Sequence, residues 1–303
     1  MAAGRADEVT LVVGSDSLIG AALVAKLRAT GRRVVGTTRR EGSVDASTLH
    51  LDLSGNPAEW SCPWPVSVAV LCAGVTSIDM CRQQPDATAR VNVDGISALA
   101  KNLLAQGTFV VYLSTNQVFD GSEPNRRPDE PTSPVTEYGR QKAEAEDRIG
   151  RAGGSTSIVR LTKVLYPDTP LLSRWRSALE HGETVQPFSD MHMAPVPLDW
   201  VVAVLILVCE RRQAGMLHLS GDHDVSYAEA AFTGARMLGV DEALVRPVRS
   251  RDVSSTAEPP PGHTTLSTDR LESTLGIKPP DVQETIEMAF GTSSIFRTPV
   301  RPS

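Results

Sequence analysis

Short, uniformly apolar runs alternate along the first half of the chain with stretches whose apolar positions recur every three or four residues. Val9–Val13, Val66–Leu71, Phe109–Leu113 and Ser157–Leu161 read as strands, and Arg33–Gly36 begins another. Between them, Leu18 to Ala29, Ala87 to Ala105 and about Thr136 to Ile149 carry helical spacing. Apolar runs without internal alternation suit strands covered on both faces, and strand–helix alternation predicts βαβ units in a parallel, doubly wound α/β sheet. The segment Asp120 to Pro134 holds four prolines and is predicted to be a surface loop. After Leu161 helices are predicted at Leu171–His181, Leu198–Arg211, Tyr227–Leu238, Asp269–Leu275 and Val282–Phe290, separated by Pro-rich stretches such as Glu258–Gly262. The division expected is a sheet domain over 1–165, with contributions from about 183–222, and a smaller, mostly helical region over 166–290. The tail 291–303 has no periodicity and is expected to be disordered.

Composition narrows the class. The 303 residues are 41% hydrophobic and 22% charged, with a formal net charge of -6. No basic stripe is present, so a nucleic-acid or anionic-membrane partner has no electrostatic footprint. The first residues lack a secretory apolar region, and the longest later apolar stretch, Trp200 to Cys209, is too short to span a bilayer. Cys62, Cys72, Cys81 and Cys209 show no CxxC spacing, which favours free thiols in a reducing, cytoplasmic compartment. No His/Cys cluster has ligand spacing, so no metal is expected.

The first βα turn reads Gly14-Ser15-Asp16-Ser17-Leu18-Ile19-Gly20. Strand, glycine-bounded loop, helix is the context of a dinucleotide cradle in a Rossmann fold: Gly14 allows the turn, helix N–H groups face a pyrophosphate, and Gly20 lets helix and strand approach. Ser17 replaces the usual middle glycine and adds a hydroxyl for phosphate. On this motif alone an ordinary βα turn remains the other reading. The second strand runs into Thr37-Thr38-Arg39-Arg40 with no carboxylate at its end. Arginine grips a 2′-phosphate through charge-assisted bonds, so Thr38, Arg39 and Arg40 favour NADPH over NAD(H) as the cofactor; two solvated loop arginines are the alternative. Asp52, after a third β-like run, is placed to accept from an adenine amino group or to sit on the surface.

Tyr138 and Lys142 lie four residues apart, on one face of a helix. A lysine cation beside a phenol stabilises the phenolate and makes Tyr138 a proton shuttle. The spacing is common; its position carries the weight. It opens the helix after the strand that runs into Ser114-Thr115-Asn116, and a hydroxyl at that strand end can polarise the same carbonyl.

With GSDSLIG, LCAG (Leu71 to Gly74), ARVNVDG (Ala89 to Gly95), YLSTNQVFDG (Tyr112 to Gly121), YGRQKAEAE and HLSGDHDVSYAEAA (His218 to Ala231), the chain resembles the extended short-chain dehydrogenase/reductase family, most closely its dTDP-4-dehydrorhamnose reductase branch. The likeness spans about residues 9 to 290. It implies catalysis by Thr115, Tyr138 and Lys142. It implies cofactor contacts at Gly14 to Gly20, Leu53, Cys72, Ala73, Gly74, Ser114 and Leu161, with Asn92 bracing the sheet edge and Arg160 to Val164 leading into the substrate pocket. Substrate contacts are implied at Thr76, Asn116, Val118, Phe119, Tyr138, Trp175, Asp190 and His192. For Trp175 core burial competes with stacking on a base, and for His192 a packing or solvent role competes with a nucleotide contact. Phe188 to Pro195 takes the place of the family's substrate loop but reads Asp190-Met191-His192-Met193-Ala194-Pro195, unlike the branch's usual sequence. The resemblance implies reduction of a keto group on a nucleotide-activated deoxysugar, with a homodimer usual among relatives. The alternatives are an NAD-dependent sugar-nucleotide epimerase or dehydratase, against which stand the arginine pair and the lack of an acid after Thr115, and a non-catalytic dinucleotide-binding subunit like the methionine adenosyltransferase beta subunit.

Overall fold

The computed structural model describes residues 9–253 and 261–291. Its strands are, in chain order, β1 (Val9–Val13), β2 (Val34–Thr38), β3 (Thr48–His50), β4 (Val66–Leu71), β5 (Phe109–Thr115), β6 (Thr156–Leu161), β7 (Val164–Leu165), β8 (His192–Met193), β9 (Val196–Pro197), β10 (Gly215–Leu219) and β11 (Val225–Ser226). Its helices are α1 (Leu18–Ala29), α2 (Ile78–Gln83), α3 (Pro85–Ala89), α4 (Ile96–Ala105), α5 (Glu137–Arg151), α6 (Pro170–Glu180), α7 (Leu198–Arg211), α8 (Tyr227–Leu238), α9 (Ser250–Val253), α10 (Asp269–Leu275) and α11 (Val282–Phe290).

Seven strands form one parallel sheet in the order β10-β6-β5-β4-β1-β2-β3. The order reverses between β1 and β4, which places a crevice at the carboxyl ends of the strands. Side chains alternate between two cores. Val12, Val68, Val70, Val111 and Leu113 pack in the layer of α1 and α7. Leu11, Val13, Ala69, Leu71, Val110 and Tyr112 pack in the layer of α4 and α5. This double cover is why the strands read as unbroken apolar runs; each fully buried valine or leucine stabilises the fold by about 1.5–3 kcal/mol. Around α6, α8 and α11 two smaller clusters form, one holding Leu165, Leu172, Met193, Ile286 and Phe290.

Four sequence expectations change. The helix predicted over Ala87 to Ala105 is α3, a π-helical segment Arg90–Gly95 and α4. Asn92 sits in that widened segment: its Oδ1 accepts from the Val75 N–H at 2.7 Å and its Nδ2 donates to the Val75 carbonyl and to Gln141 Oε1, both at 2.9 Å. It therefore braces the loop after β4 against α5, not a sheet edge, because β4 lies mid-sheet. Second, a short helix, α2, forms where the apolar spacing predicts none; the Ser77 hydroxyl caps it. Third, β5 continues to Thr115, since its ladder with β6 runs on to Leu161. Fourth, β2 begins at Val34 and keeps Thr37 and Thr38 within the strand.

Residues 254–260, which take in 258–260 of the Pro-rich stretch, and the tail from 292 lie outside the described residues. Among the described residues no helix is long and apolar enough to cross a membrane.

Candidate functional site

The cradle is built by fixing the loop after β1 onto β2. Gly14 adopts φ +80°, a left-handed turn that a side chain would strain, and a Cβ there would stand 2.8 Å from the Ala73 backbone. The Gly14 N–H donates to Thr37 Oγ1 at 3.1 Å, and Ser15 gives both its N–H (2.9 Å) and its hydroxyl (3.0 Å) to the Thr37 carbonyl. Ser17 caps α1 by accepting from the Gly20 N–H at 3.1 Å. Its hydroxyl proton is left free to donate. The first turn of α1, opening with Leu18 and Ile19, contains no acidic residue, so its partial positive charge is uncompensated there. At the end of β2, buried Thr38 donates its hydroxyl to Asp16 Oδ2 at 3.1 Å, and Arg40 Nε lies 3.6 Å from the same oxygen. Arg39 is exposed. Asp52 is also exposed and accepts from the N–H and hydroxyl of Ser54, which hold its carboxyl below the usual carboxylate range. Leu53 is buried beneath it, and half-buried Cys72 and Ala73 follow β4, with Gly74 and Thr76 exposed beyond.

Across the crevice, Thr136 caps α5 and brings Tyr138 and Lys142 to the end of β5. Gly139 allows this, because a Cβ there would run into the Gln117 carbonyl. Thr115 is buried; its hydroxyl accepts from the Gln117 N–H at 3.2 Å and faces Asn116 Oδ1 at 3.4 Å. The neighbouring Ser114 hydroxyl is buried with no hydrogen-bond partner among the described residues, at the strand position register-paired with Arg160 and next to the Thr115–Leu161 pair. Tyr138 is 8% exposed and Lys142 7%.

The electrostatics differ from the sequence expectation. Burial pushes the Tyr138 phenol up, and the lysine does not offset it. Lys142 Nζ donates to the Leu113 carbonyl at 2.6 Å and lies 4.0 Å from the Tyr112 ring centroid. Burial lowers Lys142 to about 7, opposed by the Glu146 carboxylate one turn further along α5. Glu146 in turn takes a two-pronged bond from Arg160 of β6, with Nη2–Oε2 2.7 Å and Nε–Oε1 3.0 Å, both residues almost fully buried. Arg160 Nη1 meets His218 Nε2 at 3.3 Å. Since guanidinium only donates, that nitrogen is the acceptor and Nδ1 carries the proton. Burial, with the Arg160 charge second, lowers His218 to about 3. The Glu146–Arg160–His218 chain was missed as a unit in the sequence. Its signals were an acid four residues past Lys142 and a lone charge inside the apolar β6.

The candidate substrate residues divide. Asn116 opens the turn after β5 beside Thr115. Val118 and Phe119 are buried against Leu266, with Phe119 under the Arg126 and Arg160 guanidinium planes, so their side chains serve packing. Trp175 meets Tyr227 edge-on at 6.4 Å and bridges the two clusters of the helical lobe, a core role. Asp190 accepts from the N–H and the hydroxyl of Ser250, both at 2.9 Å, and ties its loop to α9. His192, in β8, stacks on His263 at 6.4 Å, with Nδ1 buried and unpartnered among the described residues. No group of three or more His, Cys, Asp or Glu side chains placed to hold a metal occurs among the described residues.

Residues 8–294 match the family described as the RmlD substrate binding domain. The chain is 29% identical over 231 residues to a dTDP-4-dehydrorhamnose reductase of Sinorhizobium fredii, covering 72% of this chain and 77% of that one. It is 26% identical to the methionine adenosyltransferase 2 subunit beta of Bos taurus, covering 88% and 82%. A Bacillus anthracis dTDP-4-dehydrorhamnose reductase solved in complex with NADP superimposes with a TM-score of 0.83 at 18% identity, covering 94% and 99%.

Proposed function

The chain belongs to the RmlD substrate binding domain family, and on that premise we propose that it is a reductase of the short-chain dehydrogenase/reductase type, acting on a keto group of a nucleotide-activated deoxysugar with NADPH, or NADH, as donor. The observation that carries this reading is the bond from Lys142 on α5 to the Leu113 carbonyl of β5, which fixes the helix that bears Tyr138 to the strand that ends in Thr115. The residues present fit a dinucleotide: the Gly14 turn, a first turn of α1 without acids, and the Ser114 hydroxyl, unpartnered among the described residues. Gly14 to Gly20 would hold the pyrophosphate and Thr38 to Arg40 the adenosine ribose. When bound, the nicotinamide supplies the hydride.

The chain's own groups handle the oxygen. Thr115 donates its hydroxyl to the substrate carbonyl, and Tyr138 delivers a proton to that oxygen as it gains charge. The desolvated phenol keeps its proton until a strong base forms beside it, which suits an acid acting in the reductive direction. Lys142 holds positive charge near the developing alkoxide and is free to bond ribose hydroxyls. The four cysteines are free thiols, which accords with a reducing cytoplasm. A second reading, a dinucleotide-binding subunit without turnover, draws on the likeness to the bovine subunit.

The test is the purified chain with NADPH or NADH and a panel of 4-keto nucleotide sugars, followed by the near-ultraviolet absorbance of the reduced nicotinamide. Oxidation with at least one sugar, lost in Tyr138→Phe, is expected. Donor binding with no oxidation across the panel would favour the subunit reading.

A further inference from the structure

From sequence, Arg39 and Arg40 predict a partner for a 2′-phosphate, and the strand end carries no acid. The fold supplies one from elsewhere. Asp16 stands in the glycine loop, and the two residues before it are clamped to Thr37 by three hydrogen bonds. That clamp delivers the Asp16 carboxylate to the end of β2, where Thr38, 2% exposed, donates its hydroxyl to it. The same Thr38 oxygen accepts from the Arg40 N–H at 3.1 Å, and the Arg40 side chain turns back to Asp16. In this fold an acid about 20 residues past the glycine loop, at the end of the second strand, accepts the ribose 2′-hydroxyl, and Asp16 brings a carboxylate to that place from the loop.

We propose that Asp16 is the coenzyme-discriminating residue: its carboxylate accepts the 2′-hydroxyl of NADH and opposes the 2′-phosphate of NADPH, while Arg40 pulls the other way, so that both donors bind. It deepens the reductase reading and depends on it only for the presence of a dinucleotide. Two full negative charges on a 2′-phosphate cannot share the place with a carboxylate without Arg40 leaving Asp16 to pair with the phosphate. With NADH, Arg40 stays on Asp16 and the carboxylate keeps its second oxygen for the hydroxyl. The arginine pair and the acid therefore set a ratio, and neither alone imposes strict choice.

The experiment measures dissociation constants of NADH and NADPH by fluorescence titration of the full chain, in wild type, Asp16→Asn and Arg40→Ala. Asparagine keeps the shape and the bond from Thr38 while removing the charge. Wild type is expected to bind both donors within about tenfold of each other, the discrimination of one charge-assisted hydrogen bond. Asp16→Asn should move the ratio about tenfold or more toward NADPH, and Arg40→Ala should move it toward NADH. A ratio indifferent to Asp16→Asn overturns the assignment and leaves the reductase reading standing, as does a wild type that binds NADPH alone. A wild type that binds neither donor overturns both. Melting curves of the variants, unchanged from wild type, show that the ratio reports binding.

Discussion

The two ends of the crevice are built from opposite materials. At the end proposed to be catalytic Thr115, Tyr138, Lys142, Glu146 and Arg160 are each less than a tenth exposed, and every charge there is held by another buried group. At the end proposed for the adenosine Asp16, Arg39 and Arg40 stand in solvent, with the Arg40 side chain 69% exposed. The difference is one of dielectric. Desolvation moves Lys142 to about 7 and His218 to about 3, because burial taxes each charged form and no water offsets it. At the open end solvent screens the Asp16–Arg40 pair, so those charges add little to the fold and, on the proposed reading, serve the choice of donor. Chemistry and stability are therefore joined at one end of the molecule and separate at the other.

The sharpest way to break that comparison is at the phenol. Tyr138→Phe should lower kcat by roughly 10²–10⁴, the contribution of a positioned acid. Donor affinity should stay near wild type, measured by titration, because the ring remains in place. Nearly as large in free energy is Glu146→Gln. It leaves the Arg160 guanidinium buried without a countercharge, a loss of about 3–5 kcal/mol of stability, read by denaturant unfolding. A change under 1 kcal/mol would mean that water reaches the pair and that the catalytic end is wetter than its burial implies.

Much of this architecture was legible, and the reasons are local. The bounds of α1, α7, α8, α10 and α11 follow from apolar spacing, and the structure closes the helices with caps such as the Ser226 capping box and the left-handed Gly239 and Gly276. The strands were legible because both faces are covered. The π-helical Arg90–Gly95 was not, since its reason is Asn92 reaching Val75 and Gln141, partners distant in sequence. At the site, the glycine cradle and the Tyr138–Lys142 spacing could be read from residue order. The Lys142 bond to the Leu113 carbonyl, the Arg160–Glu146–His218 chain and the carboxylate of Asp16 at the end of β2 could not, because each joins elements that only the sheet brings together.

The lysine sharpens the comparison through pH. Its pKa is lowered from 10.5 to about 7, so the cation that the proposed mechanism uses is lost as pH rises through 7. Then kcat/KM should fall about tenfold per unit above pH 7, since that profile reports groups of the free enzyme. Stability should move the other way. Between pH 7 and 10.5 the unfolded chain holds a proton on Lys142 that the folded chain has released, so unfolding becomes harder as pH rises in that window. In Glu146→Gln the activity limb should shift to lower pH, because the carboxylate that supports the cation is gone. A limb that stays in place in that variant would remove Glu146 from the account of Lys142.

The smallest effect is expected at the open end. Arg40→Ala breaks a 3.6 Å ion pair whose arginine is mostly in solvent and whose carboxylate keeps the Thr38 hydroxyl. Such pairs contribute about 0–1 kcal/mol, and the long side chain gives up conformational freedom to form one. The melting midpoint of donor-free Arg40→Ala should therefore match wild type within about 2 °C, the shift expected of a few tenths of a kcal/mol in a chain of this size. Added salt should leave that match unaltered, because there is little attraction to screen. If the variant instead lost stability as steeply as Glu146→Gln, the Asp16–Arg40 pair would be holding the glycine loop onto β2. The three bonds to Thr37 would then not suffice for that task, and the separation of binding from folding at the adenosine end would fail.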